Sequence, residues 1–237
     1  QTNEIEFDMK KYIFLFLVLA CGLMSHAADA PYRIELKMSD MRDTVAYLAF
    51  YYNGKTYSKD TAKINSKGVA VFDGSKKKGE DKRLKEGVYI VFFKQDKFFD
   101  LLIGKDQNIK LKADTTDLTP VVTSGAESVM FSKLVKFMAD KNGERKKLIE
   151  SKKAGKIDST SFESKMKKLS DEVEIFQKKE IETNKGTFYS DFVRGTMSVD
   201  IPDFEELPDT AKPLARYLYT KNHFFDNINL SDRRLLR

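Results

Sequence analysis

The chain has 237 residues, of which 41% are hydrophobic and 33% are charged, and its formal net charge is +6. This length suits one large domain or two small ones with an ordinary core, and the composition is not that of a disordered chain. With Cys21 as the only cysteine, no disulfide framework within the chain can hold the fold, so its stability must come from packing.

The N-terminal segment has the pattern of an export signal. Residues 1–8 carry three acidic residues, which do not suit a signal, and we interpret them as an upstream artefact with Met9 as the initiator. Lys10 and Lys11 then precede an apolar run over residues 12–24, which is too short to span a bilayer comfortably. Residues 9–27 are therefore predicted to be a signal peptide, and the protein is predicted to reach the periplasm or cell envelope.

Two alternatives for this segment stay open. Ser25 and Ala27 fit the positions that signal peptidase requires, which favours cleavage between Ala27 and Ala28. Alternatively, residues 18–21 (VLAC) form a lipobox, and Cys21 becomes the lipidated first residue of a membrane-anchored protein. In both cases Cys21 is discarded or capped, so it is not a redox thiol.

Few residues suited to catalysis remain in the rest of the chain. From Ala28 onward there is no cysteine, which excludes thiol chemistry and cysteine-based metal sites from that part. His223 is its only histidine and lies among aromatic residues, where a packed surface histidine is favoured over a hydrolase site formed with Asp226. No catalytic, cofactor-binding or metal-binding residue is predicted, and this chain is predicted not to be an enzyme.

The positive charge does not indicate a nucleic-acid partner. Lysines alternate with acidic residues, as in KKKGEDKRLKEG over residues 76–87, which favours a solvated surface. An exported protein would also be separated from nucleic acid. A membrane partner is expected only if Cys21 is lipidated.

Residues 28–118 are predicted to form a β-sandwich. Ile34, Leu36 and Met38 alternate with charged residues, as in a strand with one buried face. Asn53-Gly54 follows a nearly continuous apolar run and predicts a hairpin turn. Seven or eight short strands without helical spacers favour an antiparallel sandwich.

Residues 119–125 are predicted to be a linker, and residues 126–237 a helical domain. Apolar residues recur there at helical spacing and predict an antiparallel helical hairpin that turns near Ala154-Gly155. One face of the first helix is lined by Phe131, Leu134, Val135 and Met138, and a heptad-like seam on the second is formed by Phe162, Met166, Leu169, Val173 and Phe176. A short helix and a last amphipathic helix from Pro213 to Phe225 complete an α+β fold.

Two stretches carry a family resemblance. The first stretch is YRIELKMSDMRDTVAYLAFYYNGKTYSKDTAK over residues 32–63, followed by GVYIVFF and FFDLLIGKDQN. It resembles the β-rich N-terminal domain of unknown function in cell-envelope proteins of Bacteroidetes. The ending RYLYTKNHFFDNINLSDRRLLR is similar to the close of the helical domain that follows it there. The resemblance implies a place in front of a thioredoxin-like (TlpA-like) thiol–disulfide oxidoreductase domain, whose CxxC motif performs the redox chemistry.

This resemblance sets the functional expectation. The chain contains no CxxC motif and stops at Arg237, so no catalytic residue is carried over and truncation before the redox domain is expected. We therefore expect a non-catalytic region that positions substrates or partners, namely an envelope thioredoxin-like domain or its protein substrates. The alternative is a stand-alone periplasmic or lipid-anchored binding or adaptor module.

Overall fold

The structure is a computed structural model and describes residues 30–94 and 97–236. Strands come first and helices second, which confirms the predicted α+β class. The strands are β1 (Arg33–Met38), β2 (Thr44–Tyr52), β3 (Lys55–Ile64), β4 (Val69–Asp73), β5 (Gly87–Lys94), β6 (Lys97–Ile103), β7 (Asn108–Ala113) and β8 (Val121–Ser124). The α-helices are α1 (Ala126–Lys153), α2 (Ser159–Thr183), α3 (Phe188–Gly195) and α4 (Lys212–His223). Short 3₁₀ turns cover Gly74–Lys76, Gly79–Lys82 and Arg233–Leu236.

The strands form two four-stranded sheets, with orders β4-β1-β7-β8 and β3-β2-β5-β6. Neighbouring strands are antiparallel, as predicted, except that β1 and β7 run parallel with Ile34 opposite Ile109. Parallel neighbours need a long crossover connection. Here the whole second sheet lies between β1 and β7 in the chain and provides that crossover.

The core of the sandwich lies between the two sheets. Ile34, Leu36 and Met38 of β1 are fully buried, which confirms the alternation predicted for this strand. They join one apolar cluster with residues of the second sheet such as Leu48 and Leu101. Full burial of each such side chain contributes about 1.5–3 kcal/mol, so this cluster is the main stabilising element of the β region.

Turn geometry follows the sequence closely in the hairpin between β2 and β3. Asn53 and Gly54 adopt φ values of 49° and 71°. Two successive residues with positive φ are typical of the turn that matches the right-handed twist of the flanking strands. The hairpin predicted at Asn53-Gly54 is confirmed.

One strand lies where a linker was predicted. Residues 119–125 include β8, which pairs antiparallel with β7 and leads directly into α1. The Oγ of Ser124 donates to the carbonyl of Asn108 at 2.8 Å. Four residues after a proline are too few to reveal an alternating pattern, so the strand was missed. The domain limits at residues 118 and 126 stay a prediction.

Helices α1 and α2 form the predicted helical hairpin. Gly155 has φ 67° just after α1, and the carboxylate of Asp158 caps α2 by accepting from the backbone N–H of Ser161 at 2.8 Å. The rings of Phe137 and Phe176 stack across the hairpin with their centroids 3.9 Å apart.

Helices α1 and α3 pack beside β6, on the outer side of the second sheet. Leu102 of β6 points away from the sandwich core and joins a second apolar cluster with the helices. Phe131 and Leu134 of α1 are buried there, as the helical spacing predicted. Phe188, Tyr189 and Val193 of α3 complete the cluster. The β and helical regions are therefore packed together through α1 and α3.

Two buried tyrosines donate hydrogen bonds to carboxylates. Tyr32 donates to Asp60 at 2.7 Å, and Tyr189 donates to Glu180 at 2.8 Å. Burial, and then the hydrogen bond to the carboxylate, raises the pKa of both phenols well above the ordinary value of 10.0. The folded state thus favours the neutral phenols.

We expect the protein to lose stability steeply in alkali. A folded-state pKa above the unfolded one gives a contribution that is complete below about pH 10 and is lost as the pH rises further. Denaturant unfolding at intervals between about pH 8 and pH 11 measures the slope. The double variant Tyr32→Phe/Tyr189→Phe should show a shallower alkaline decline, and an unchanged slope would contradict this assignment.

Candidate functional site

The predicted processing positions cannot be placed on the fold. Cys21, Ala27 and Ala28 lie outside the described residues. The signal peptide, the cleavage site, the alternative lipidation and the cell-envelope location all stay predictions.

His223 lies at the exposed end of α4. Its Nδ1 and the Oδ2 of Asp226 are 2.7 Å apart, and its ring stacks on Tyr219 with the centroids 4.1 Å apart. Within residues 30–94 and 97–236, no hydroxyl group bonds the His223 ring. This arrangement gives a histidine–carboxylate pair without a bonded nucleophile, so it does not form the triad that the hydrolase alternative needs.

A carboxylate joins the β region to two helices. Glu127 is buried in the first turn of α1. Its Oε2 accepts from the backbone N–H of Tyr189 at 2.9 Å, in the first turn of α3, and its Oε1 accepts from the N–H of Lys105 at 3.3 Å. Negative charge is stabilised near helix N-termini. Glu127 therefore fixes the loop between β6 and β7 relative to α1 and α3.

That loop forms one wall of a large cleft, which we call the basic cleft. The cleft has a volume of about 950 Å³ and lies where the β6–β7 loop, the segment before β5 and the C-terminal 3₁₀ turn meet. Its lining is mainly cationic. The residues are Tyr52, Arg83, Leu84, Lys85, Glu86, Lys105, Gln107, Arg233 and Arg234.

Gln107 holds two walls of the basic cleft together. Its buried side chain accepts from the N–H of Leu84 at 3.0 Å and donates to the carbonyls of Leu84 at 2.8 Å and Gly104 at 3.3 Å. All of these partners are backbone groups. The amide thus fixes the relative position of the segments that carry Arg83, Lys85 and Lys105.

Arg234 closes the C-terminal side of the cleft. Its guanidinium donates to Asp232, to Asp191 of α3 at 2.7 Å and to Glu86 at 3.2 Å. It also lies over the ring of Phe188, with its Cζ 5.1 Å from the centroid. The hydrogen bond from Arg234 lowers the pKa of Asp232. The charge of Arg234 is therefore paired within the chain, and these contacts hold the C-terminal segment in place.

A second surface lies on α4 and the residues after it. None of the side chains of α4 is buried, although Leu214, Tyr217 and Leu218 share one face of the helix. The exposed fractions run from 45% at Leu218 to 63% at Tyr217. We call the set the α4 face, and it comprises Leu214, Tyr217, Leu218, Phe224 and Phe225.

The described residues contain neither a cluster suited to a metal ion nor a helix suited to a membrane span. No group of three or more His, Cys, Asp or Glu side chains among residues 30–94 and 97–236 could hold a metal ion. In the same part of the chain, no helix combines the length and the apolar character that crossing a membrane requires.

The comparisons with known proteins assign no family. The chain matches no family model and no curated protein. The resemblance to the N-terminal region of thioredoxin-like oxidoreductases therefore remains a prediction from the sequence.

Proposed function

We propose that this chain is a non-catalytic region of a cell-envelope thiol–disulfide oxidoreductase that positions a protein partner through the α4 face. The observation that carries the proposal is the exposure of large apolar side chains on that face. An amphipathic helix of a globular protein ordinarily buries its apolar stripe. A contiguous exposed patch of this kind is typical of a protein–protein contact surface.

The composition of the face supports a protein partner. Tyr217, Phe224 and Phe225 provide aromatic rings, and Leu214 and Leu218 provide aliphatic contact. Aromatic residues are enriched at protein interfaces, where their burial contributes much of the affinity. Lys221, four residues after Tyr217 and three after Leu218, lies on the same side of α4 and adds a positive charge to the face.

Local anchors support a positioning role. Asn227, just after the α4 face, donates to the carbonyls of Met197 and Ser198 at 3.2 and 3.3 Å. Arg234 ties the following residues to Asp191 and Glu86. A partner docked on α4 would therefore take up a defined orientation relative to α3 and the sandwich.

The identity of the partner comes from the resemblance alone. It favours a thioredoxin-like domain that carries a CxxC motif, or a protein substrate of that domain. The second candidate function is a stand-alone periplasmic or lipid-anchored binding or adaptor module, which the basic cleft favours because it is a cavity large enough for a ligand and separate from the α4 face.

Site-directed photocrosslinking tests the proposal. A photoreactive benzoylphenylalanine replaces Leu218 in the full chain, which is expressed in cells that export it. We expect a crosslinked product whose partner contains a thioredoxin-like domain with a CxxC motif, because the α4 face would be covered by that domain.

Ile175 is the matched control because it is an equally apolar residue, 67% exposed, on a different helix, α2. The probe at position 175 should give several-fold less of that product. Equal yields from both positions would refute specific docking on α4, and a crosslink only to a second copy of the chain would refute a redox partner there. A partner without a redox domain would refute the oxidoreductase role and favour the adaptor.

A further inference from the structure

We infer that the basic cleft binds a ligand that carries two phosphoryl groups, either a free diphosphate compound or a phosphorylated lipid headgroup. The inference concerns a site separate from the α4 face and holds whether or not that face docks a partner. It starts from the cationic side chains of the cleft and the partners that they have.

Four cations of the cleft are not neutralised by a carboxylate within the described part of the chain. The side chains of Lys85, Lys105 and Arg233 make no hydrogen bond or ion pair with any described residue. Among the described residues, Arg83 donates only to uncharged groups, the carbonyls of Ala30 at 2.6 Å and Lys105 at 2.8 Å.

The acidic residues nearby do not change this balance. Glu86, which lines the cleft, and Asp232 and Asp191 beside it all bind Arg234. Arg234 is thus offset by its own carboxylates, and the other four cations stay without a counter-charge from described residues. A cleft lined by one sign of charge concentrates its field and attracts counter-ions.

The charge and size of the cleft indicate the ligand. Near neutral pH a phosphoryl group carries one negative charge as a diester and about −1.5 to −2 as a monoester, so two such groups supply about two to four negative charges for the four cations. Arginines add planar forks of N–H donors suited to phosphate oxygens, and lysines add point charges. The volume of about 950 Å³ exceeds what a single phosphate needs, and Tyr52, which is half exposed at the rim, can lie against an organic group.

Two residues are suited to a test because their charges have no structural role in the described chain. The double variant Lys85→Glu/Lys105→Glu reverses both charges in the cleft. The matched control Lys146→Glu/Lys156→Glu makes the same change at exposed lysines of the helical hairpin, away from the cleft. Both variants should melt at the same temperature as the original chain, which verifies that they fold.

Isothermal titration with inorganic pyrophosphate at low ionic strength is the first measurement. We expect saturable binding to the original chain and the control, and affinity that is roughly tenfold or more weaker in the cleft variant. Binding should weaken as salt is added, because the contacts are ionic. No pyrophosphate binding, or an equal loss in both variants, would overturn the inference.

Vesicle flotation then separates the two sources of the ligand. Phosphatidylcholine vesicles are compared with vesicles that also contain cardiolipin, whose headgroup has two phosphates. Flotation with cardiolipin that pyrophosphate displaces and that the cleft variant loses would assign a lipid headgroup. Pyrophosphate binding without flotation would assign a soluble ligand. Flotation that the cleft variant retains, together with unchanged pyrophosphate affinity, would overturn the site.

Discussion

Replacing Glu127 with alanine is expected to lower the free energy of unfolding by about 2–4 kcal/mol and the melting temperature by roughly 5–15 °C. The carboxylate is buried and accepts from two backbone N–H groups, those of Tyr189 and Lys105. Its removal leaves both donors without their partner and takes a negative charge away from two helix N-termini. Thermal unfolding followed by circular dichroism measures the loss.

Glu150→Ala is the control, because it makes the same exchange at an exposed position on α1. It should change the melting temperature by no more than about 2 °C. A similar decrease in both variants would mean that the loss of stability comes from removing any carboxylate from α1. It would then not come from the hydrogen bonds of Glu127 to the β6–β7 loop and α3.

Gly104 offers an independent test of the contact between Glu127 and the β6–β7 loop. A Cβ at this position would collide with the carboxylate of Glu127 and lie 3.0 Å from its Cβ. Gly104→Ala should therefore destabilise the original chain but cost much less in the Glu127→Ala background. Coupling of this kind is expected only between residues in contact, and strict additivity in the double variant would contradict the contact.

The sequence predicts those parts of the fold that depend on a local pattern. The alternation around Ile34 and Leu36 places β1, and the positive φ values favoured by Asn53 and Gly54 place the first hairpin. The helical spacing that includes Phe131 and Leu134 identifies the buried face of α1. In each case one stretch of sequence carries enough periodic apolar residues to fix both the element and its buried side.

The features that the sequence does not predict depend on long-range pairing. The four residues of β8 are recognisable only because β7 lies beside them, and the parallel pairing of β1 with β7 needs the arrangement of both sheets. The buried Glu127 looks like any first-turn carboxylate until the loop at Lys105 is placed against it.

The sequence does not predict the basic cleft, for the same reason. Arg83 and Lys85 belong to a lysine-rich stretch that the sequence favours as solvated surface. Lys105 and Arg233 come from segments far away in the chain, and only the fold brings all four to one cleft. A charge pattern along the sequence cannot distinguish scattered lysines from converging ones.

The basic cleft and the hydrogen bonds of Glu127 share one element, the loop between β6 and β7. Lys105 contributes its backbone N–H to Glu127, its carbonyl to Arg83 and its side chain to the lining of the cleft. Ligand binding at the cleft would therefore act on the loop that contacts α1 and α3. This connection makes the residue that holds the loop, Gln107, the most informative position for stability and binding together.

Gln107→Leu is expected to lower the free energy of unfolding by about 2–4 kcal/mol and the affinity for pyrophosphate by several-fold. The substitution keeps a similar volume but removes all three hydrogen bonds to Leu84 and Gly104, which leaves buried backbone groups without partners. Those hydrogen bonds fix two walls of the cleft relative to each other. Without them, the cationic side chains on the two walls would no longer point into the same cleft. Denaturant unfolding and pyrophosphate titration of the same preparation measure the two effects.

Gln177→Leu provides the matched control, since Gln177 is also buried but, within the part of the chain that the structure describes, donates only to the hydroxyl of Thr196, at 3.1 Å. It should cost about 1 kcal/mol and leave the pyrophosphate affinity unchanged. If Gln107→Leu destabilised the chain without weakening pyrophosphate binding, the cleft would not depend on the alignment of its walls. If both glutamine variants weakened binding equally, the loss would follow from general destabilisation and not from the position of Gln107 in the cleft.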